Sequence, residues 1–107
     1  MEVHSILGSG FLEAVYADAV EHELKLLGIP YEREKPYEVL YKNTVLRKKY
    51  YADFVIYNKI ILELKAIKEF RNIDYAQCFN YLKVSGNRLS LLINFGAESL
   101  QYKRIVS

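Results

Sequence analysis

The segment Ile60-Ile61-Leu62-Glu63-Leu64-Lys65 is an apolar run broken by one acid and one base, and that pattern narrows what the chain can become. A run rich in Ile and Leu reads as a strand buried in a small domain, where charges are normally excluded because their desolvation is costly. Glu63 and Lys65 stand two residues apart, so on a strand they share one face. Asp53 lies ten residues before Glu63, one hairpin away. Two carboxylates and an ammonium brought together there form a candidate site for a hard metal ion and a phosphate.

The rest of the chain limits the setting of such a site. A length of 107 residues suits one domain, residues 1–107, with a single core. Hydrophobic residues make up 51% and charged residues 26%, which excludes a disordered chain. No apolar stretch approaches the ~20 residues that span a bilayer, so no membrane partner is expected. Met1-Glu2-Val3-His4 shows neither the basic nor the apolar region of a secretory signal. Cys78 is the one cysteine, so no internal disulfide can form, and the expectation is a reducing cytoplasm.

Charge is unevenly spread. Residues 1–34 carry seven acids and two bases, a balance of −5, whereas residues 35–107 carry six acids and thirteen bases, a balance of +7. The second portion can attract a polyanion, and Arg47-Lys48-Lys49 with Lys42 is its densest part. A solvated hairpin edge, where lysines discourage strand pairing, would look the same.

Turn residues and periodicity divide the chain into elements. After Gly8-Ser9-Gly10, in which Ser9 can cap a helix, apolar residues from Leu12 to Leu27 recur at helical spacing. Gly28 and Pro30 then stop a helix expected over 11–27. Three strands are expected over 37–41, 44–57 and 60–66, joined by turns at Lys42-Asn43 and Asn58-Lys59; such short connections make an antiparallel meander. A second helix is expected over 72–85, ended by Gly86, with Ile73, Ala76, Gln77, Asn80, Tyr81 and Val84 along one stripe that borders a polar cavity. Strands over 89–95 and 100–106 complete an α/β (α+β) sandwich with a mixed sheet.

Register decides whether the three charges can meet. A two-residue turn at Asn58-Lys59 would place Asp53 opposite Leu64 and turn it away from Glu63, because a slip of one residue flips every side chain. A three-residue loop, Tyr57-Asn58-Lys59, pairs Ile56 with Ile60 and Asp53 with Glu63. Asp53 and Glu63 would then hold Mg2+, with a backbone carbonyl near Leu64 as a third ligand. Lys65 would orient or deprotonate the attacking water, or stabilise the transition-state anion. A structural Glu63–Lys65 or Asp53–Lys65 ion pair on an exposed sheet face is the bland alternative. Glu13 near the start of the first helix and Gln77 on the second add polar groups; helix-dipole and boundary roles would also account for them. His4 and His22 lack partners at zinc-ligand spacing, and Cys78, mid-helix, reads as packing.

Gly10-Phe11-Leu12-Glu13-Ala14-Val15-Tyr16 resembles the motif that names the GxxExxY proteins. Tyr51-Ala52-Asp53-Phe54, Leu62-Glu63-Leu64-Lys65, Ala76-Gln77-Cys78-Phe79-Asn80-Tyr81-Leu82 and Leu92-Ile93-Asn94-Phe95-Gly96 resemble that family in the same order, so the resemblance spans essentially the whole chain. Ala52 stands where the superfamily pattern has a proline. The resemblance implies a PD-(D/E)XK, restriction-endonuclease-like core of helix, three-stranded meander, helix and further strands. It also implies a nuclease acting on DNA with Mg2+ or Mn2+, in which Asp53 and Glu63 are metal ligands and Lys65 the catalytic lysine. Glu13 becomes an extra acid of the site, Gln77 a polar site residue, and Arg47, Lys48 and Lys49 contacts to the nucleic-acid backbone. A catalytically silent nucleic-acid-binding or protein-interaction module on the same fold is the alternative, and a homodimer or larger complex a further form of the enzyme.

Overall fold

A computed structural model describes residues 2–107. Two helices come first, α1 (Glu2–Leu7) and α2 (Glu13–Leu26), followed by strands β1 (Tyr31–Tyr37), β2 (Leu40–Tyr41), β3 (Thr44–Val45), β4 (Tyr50–Ile56) and β5 (Ile60–Lys65). Helix α3 (Asn72–Ser85) and strands β6 (Leu89–Asn94) and β7 (Gln101–Val106) complete the chain.

Helix α2 starts at Glu13 without the expected Ser9 cap: its N-cap position is Leu12, which makes no side-chain bond. The entry is fixed from inside the helix instead. Tyr16, one turn in, donates its hydroxyl back to the Gly8 carbonyl and accepts the Phe11 N–H at 3.2 Å. The helix ends as its glycine implies. Gly28 takes φ +66°, its N–H meets the Lys25 carbonyl at 3.1 Å and the Ile29 N–H meets Leu24 at 3.0 Å, which closes the last turn in a Schellman motif.

The main sheet runs β1-β4-β5-β6-β7. Its first three strands are antiparallel, β6 lies parallel to β5, and β7 returns antiparallel. Parallel neighbours need a crossover, and α3 supplies it. Strand β5 is central and covered on both faces. Leu62 and Leu64 pack with Tyr16, Val20, Leu24, Phe54 and Phe95 on the α2 side; Ile61 packs with Val55, Cys78, Leu82, Leu92 and Ile105 on the α3 side. Double coverage explains the nearly unbroken apolar run of β5.

Three expectations need correction. The first strand occupies Tyr31–Tyr37, not 37–41: charged residues fill both its alternating sets, and Pro36, which lacks an N–H, suits its place at the sheet edge. The long strand expected over 44–57 is divided. Lys42 and Asn43, both left-handed at φ +48° and +65°, close a separate hairpin of β2 and β3, and an irregular stretch carrying Arg47-Lys48-Lys49 precedes β4. On α3 the residues turned to the core are Asp74, Cys78 and Leu82, whereas Ile73 and Asn80 are exposed.

Candidate active site

The β4–β5 connection settles the register. Tyr57 and Asn58 adopt left-handed backbone, φ +54° and +57°, and the Lys59 N–H returns to the Ile56 carbonyl at 3.0 Å. The three-residue loop pairs Ile56 with Ile60 and Phe54 with Leu62, so Asp53 falls opposite Glu63. Beyond Phe54 the ordinary ladder gives way. The Asp53 N–H donates to Glu63 Oε1 at 3.2 Å, and the Leu64 N–H donates to Asp53 Oδ2 at 2.8 Å. Each carboxylate thus takes a bond that a backbone carbonyl would accept, and the two strands part around them.

The neighbouring strand yields at the same level. Glu34 stands between the pairs Arg33–Phe54 and Lys35–Ala52, in left-handed backbone at φ +53°. A cleft of about 290 Å³ opens between these strands and the start of α2, lined by Glu13, Ala14, Ala17, Glu34, Asp53 and Leu64 among others.

Lys65 extends toward α3. Its Nζ donates to Gln77 Oε1 at 3.0 Å and lies 3.8 Å from Asp74 Oδ1. Asp74 is fully buried and accepts the Arg71 backbone N–H at 2.8 Å and its guanidinium at 3.0 and 3.2 Å, which caps the start of α3 from its third residue. The turn after Lys65 is clamped by Asn94, whose Oδ1 accepts the N–H groups of Ile67 (3.0 Å) and Gly96 (2.9 Å) while its Nδ2 donates to the Ile67 carbonyl (2.8 Å).

Electrostatics follow from this crowding. Burial, then the Asp53 charge, pushes the Glu63 carboxyl up to about 9. Burial also raises Asp53, against the lowering effect of the Leu64 N–H, and Glu13 is raised by burial and then by the Asp53 charge. Burial acts to raise Asp74 as well, but the hydrogen bonds from Arg71 outweigh it and hold that carboxyl below its ordinary value. Two buried carboxyls this close cannot both ionise without a compensating cation.

The structure therefore brings Asp53, Glu63, Lys65, Glu13 and Gln77 to one end of the sheet. Arg47, Lys48 and Lys49 stay outside the cleft, in the irregular stretch four to six residues before Asp53; among the described residues none of them makes an ion pair. Asp74, Glu34 and Asn94 were not visible as site neighbours in the sequence. Asn94 falls in a segment that resembles the family, with no site role attached, and Asp74 stands three residues past a helix N-cap, a signal that speaks of capping rather than of Lys65.

A metal must fit this donor set. Among the described residues no three His, Cys, Asp or Glu side chains converge closely enough to hold an ion by themselves. Asp53 and Glu63 supply two carboxylates. In a strand the N–H and C=O of one residue point the same way, so Leu64 turns its carbonyl toward the opened ladder too. Two carboxylates and one carbonyl make an oxygen donor set that fits a hard divalent cation, not a four-ligand zinc centre.

A mixed five-stranded sheet with α2 and α3 on opposite faces, and paired acids where its antiparallel strands part, defines a restriction-endonuclease-like domain. The family model of the PD-(D/E)XK nuclease superfamily matches residues 1–105, and the chain belongs to that superfamily. The crystal structure of SSO0001 is similar with a TM-score of 0.68 at 19% identity, over 88% of this chain and 49% of that one. At that identity the likeness establishes the fold, and the chain spans about half of that protein's length. Comparison with curated proteins gives no match. Among the described residues no helix is long and apolar enough to cross a membrane.

Proposed function

We propose that the chain is a divalent-metal-dependent nuclease domain of the GxxExxY kind, hydrolysing phosphodiester bonds in DNA. The observation that carries this reading is the exchange at β4 and β5, where Asp53 and Glu63 replace ladder carbonyls and leave Lys65, two residues on, braced by Gln77. Asp53 and Glu63, with the Leu64 carbonyl, hold Mg2+ or Mn2+. Such a cation, when bound, neutralises charge on the phosphoryl oxygens and acidifies water.

The chain's own groups do the rest. Lys65 is placed to orient the attacking water or to stabilise the anion that grows on the phosphate, and Gln77 fixes its direction. Glu13 borders the cleft as a further acid, its carboxyl raised by burial and then by the Asp53 charge. Arg47, Lys48 and Lys49 contact backbone phosphates with little base specificity. A cytoplasmic location and a homodimer or larger complex belong to this reading, since one active site cuts one strand at a time.

The test is direct. The purified chain is incubated with single- and double-stranded DNA and RNA in Mg2+, Mn2+ or EDTA, beside Asp53→Ala and Lys65→Ala. Metal-dependent cleavage of DNA, lost in both variants, is expected. Cleavage that survives in either variant or in EDTA overturns the assignment.

A further inference from the structure

The β2–β3 hairpin leaves an unusual surface uncovered. It forms a sheet of its own, pairing Leu40 with Val45 and Tyr41 with Thr44, and the Leu46 N–H extends the pairing to the Val39 carbonyl at 2.9 Å. Leu40 is 66% exposed, Tyr41 60%, Val45 49% and Leu46 39%. Four large apolar side chains on so short a ribbon are not explained by packing, and an isolated two-stranded hairpin is only marginally stable in water.

Bases surround that apolar tip. Residues 38–49 carry Lys42, Arg47, Lys48 and Lys49 against one acid, Glu38, a local balance of +3. None of the four bases meets a carboxylate among the described residues. Lys42 instead sits over the Tyr41 ring, 5.6 Å from its centroid.

Position links the ribbon to the candidate active site. It joins the paired ends of β1 and β4, Tyr37 and Tyr50. Tyr50 is three residues from Asp53, roughly 10 Å along a strand. The ribbon thus springs from the strand that carries Asp53.

We infer that this hairpin receives unpaired bases of a DNA strand next to the phosphate held at the carboxylates, so that the substrate is single-stranded, forked or frayed. The inference rests on the nuclease reading for its choice of DNA. Bases alone would serve for any duplex, because phosphate contacts are indifferent to pairing. A duplex hides its base faces in the stack and would leave Leu40, Tyr41, Val45 and Leu46 in water. Unpaired bases offer apolar faces to both sides of the ribbon: Leu40 and Val45, which share one face, can pack on one base and Tyr41, on the other face, can stack on another, while the four cations meet the flanking phosphates.

The experiment measures binding by the full chain, in EDTA to prevent cutting, to a labelled single strand, a fork and a blunt duplex of equal length over a salt series. The single strand and the fork should bind about tenfold tighter than the duplex. Leu40→Ser with Tyr41→Ser should remove that preference and leave the salt dependence intact, both residues being exposed enough for the fold to tolerate the change. Lys48→Ala with Lys49→Ala should weaken all three ligands alike and lower the slope of log K against log salt by about two. Equal binding of fork and duplex by the unaltered chain, or a preference that survives Leu40→Ser with Tyr41→Ser, overturns the inference. So does a dimer that this variant turns into a monomer in sedimentation, since the apolar tip would then belong to a second copy. The two readings fail separately. Cleavage without preference for unpaired strands spares the nuclease and removes the hairpin's role, whereas preference without cleavage in any metal does the reverse.

Discussion

Lys65 Nζ stands 3.8 Å from a carboxylate oxygen of Asp74, an acid wholly withdrawn from solvent. Asp74 and Gln77 are three residues apart on α3, so one helix face brings both the charge and the amide to the lysine. Asp74→Asn keeps the shape and removes the charge. On the nuclease reading, DNA cleavage per bound metal should fall by about tenfold to a hundredfold, the scale of a group misplaced by up to ~1 Å, while the Mn2+ affinity read by calorimetry stays near that of the unaltered chain. The stability loss should be about 1–2 kcal/mol, from a weakened cap and a weakened bond to Arg71. Arg71→Ala is the contrast: its side chain is 60% exposed and meets Asp74 rather than Lys65, so turnover should hold. Unchanged turnover in Asp74→Asn would reduce that acid to a helix cap.

The carboxyl pair predicts how stability and metal binding depend on pH. Glu63 is pushed up to about 9 from an ordinary 4.5, by burial and then by Asp53. Between those values the folded chain keeps a proton that the unfolded chain has released. Metal-free stability should therefore fall as pH rises from about 4.5 to about 9, by up to about 1.4 kcal/mol per pH unit, and this loss should be absent below 4.5. A cation reverses the sign, because it takes the proton's place. Mn2+ binding at pH 7 should release close to one proton, measured by calorimetry in two buffers of different ionisation heat. Urea melts of Glu63→Gln should lose most of the slope. Binding without proton release would show that the ion sits elsewhere.

How much of this was legible beforehand depends on where the information lies. Strand β5 was visible because burial on both faces demands an apolar run, and Glu63 and Lys65 stood out against it. The meeting of Asp53 and Glu63 could be stated only as a condition on loop length. Tyr57 and Asn58 meet it with left-handed backbone, which the sequence permits at Asn58 and does not advertise at Tyr57. Strand β1 stayed hidden because Glu32, Arg33, Glu34 and Lys35 give no apolar alternation. Asp74 was masked by its capping pattern, and the hold of Asn94 on Ile67 spans 27 residues, a pairing that no local period reports.

The glycine-to-tyrosine motif divides into parts with different costs. Tyr16 is fully buried and stacks on Phe95 at 4.6 Å between centroids and 11° between planes, and its hydroxyl ties Gly8 to Phe11. Tyr16→Phe keeps the stack and strands the two backbone partners, so chemical denaturation should show a loss of about 1–3 kcal/mol. Gly8, at φ +73°, should cost about 1–2 kcal/mol as Ala. Gly10 has ordinary backbone and open space where a Cβ would sit, so Gly10→Ala should stay within about 0.5 kcal/mol. A large loss there would show that Gly10 holds a backbone conformation that alanine resists.

The tightest constraint on Lys65 comes from the strand beyond it. Asn94 is fully buried and makes four bonds, to the Ile67 N–H and carbonyl, the Gly96 N–H and Gln101. The Phe95 N–H adds a bond to the Lys65 carbonyl at 2.8 Å. A Cβ on Gly96 would overlap the backbone of Ala66 and Ile67, and backbone cannot step aside as a side-chain tip can. Gly96→Ala should therefore cost about 2–3 kcal/mol or more, and should push the turn after Lys65 away from β6. Asn94→Ala strands buried donors and acceptors for about 2–4 kcal/mol. Asn94→Asp separates the two halves of the clamp, because it keeps acceptors for Ile67 and Gly96 but sets a buried carboxylate oxygen against the Ile67 carbonyl and Gln101 Oε1; its loss should be at least that of Asn94→Ala at neutral pH and should shrink as acid protonates it. Thermal melts rank the three. Cleavage assays well below each melting point then decide whether the clamp also positions the lysine: if it does, Gly96→Ala remains slow when fully folded, with Mn2+ affinity retained because Asp53 and Glu63 lie on the far side of Lys65 from the displaced turn.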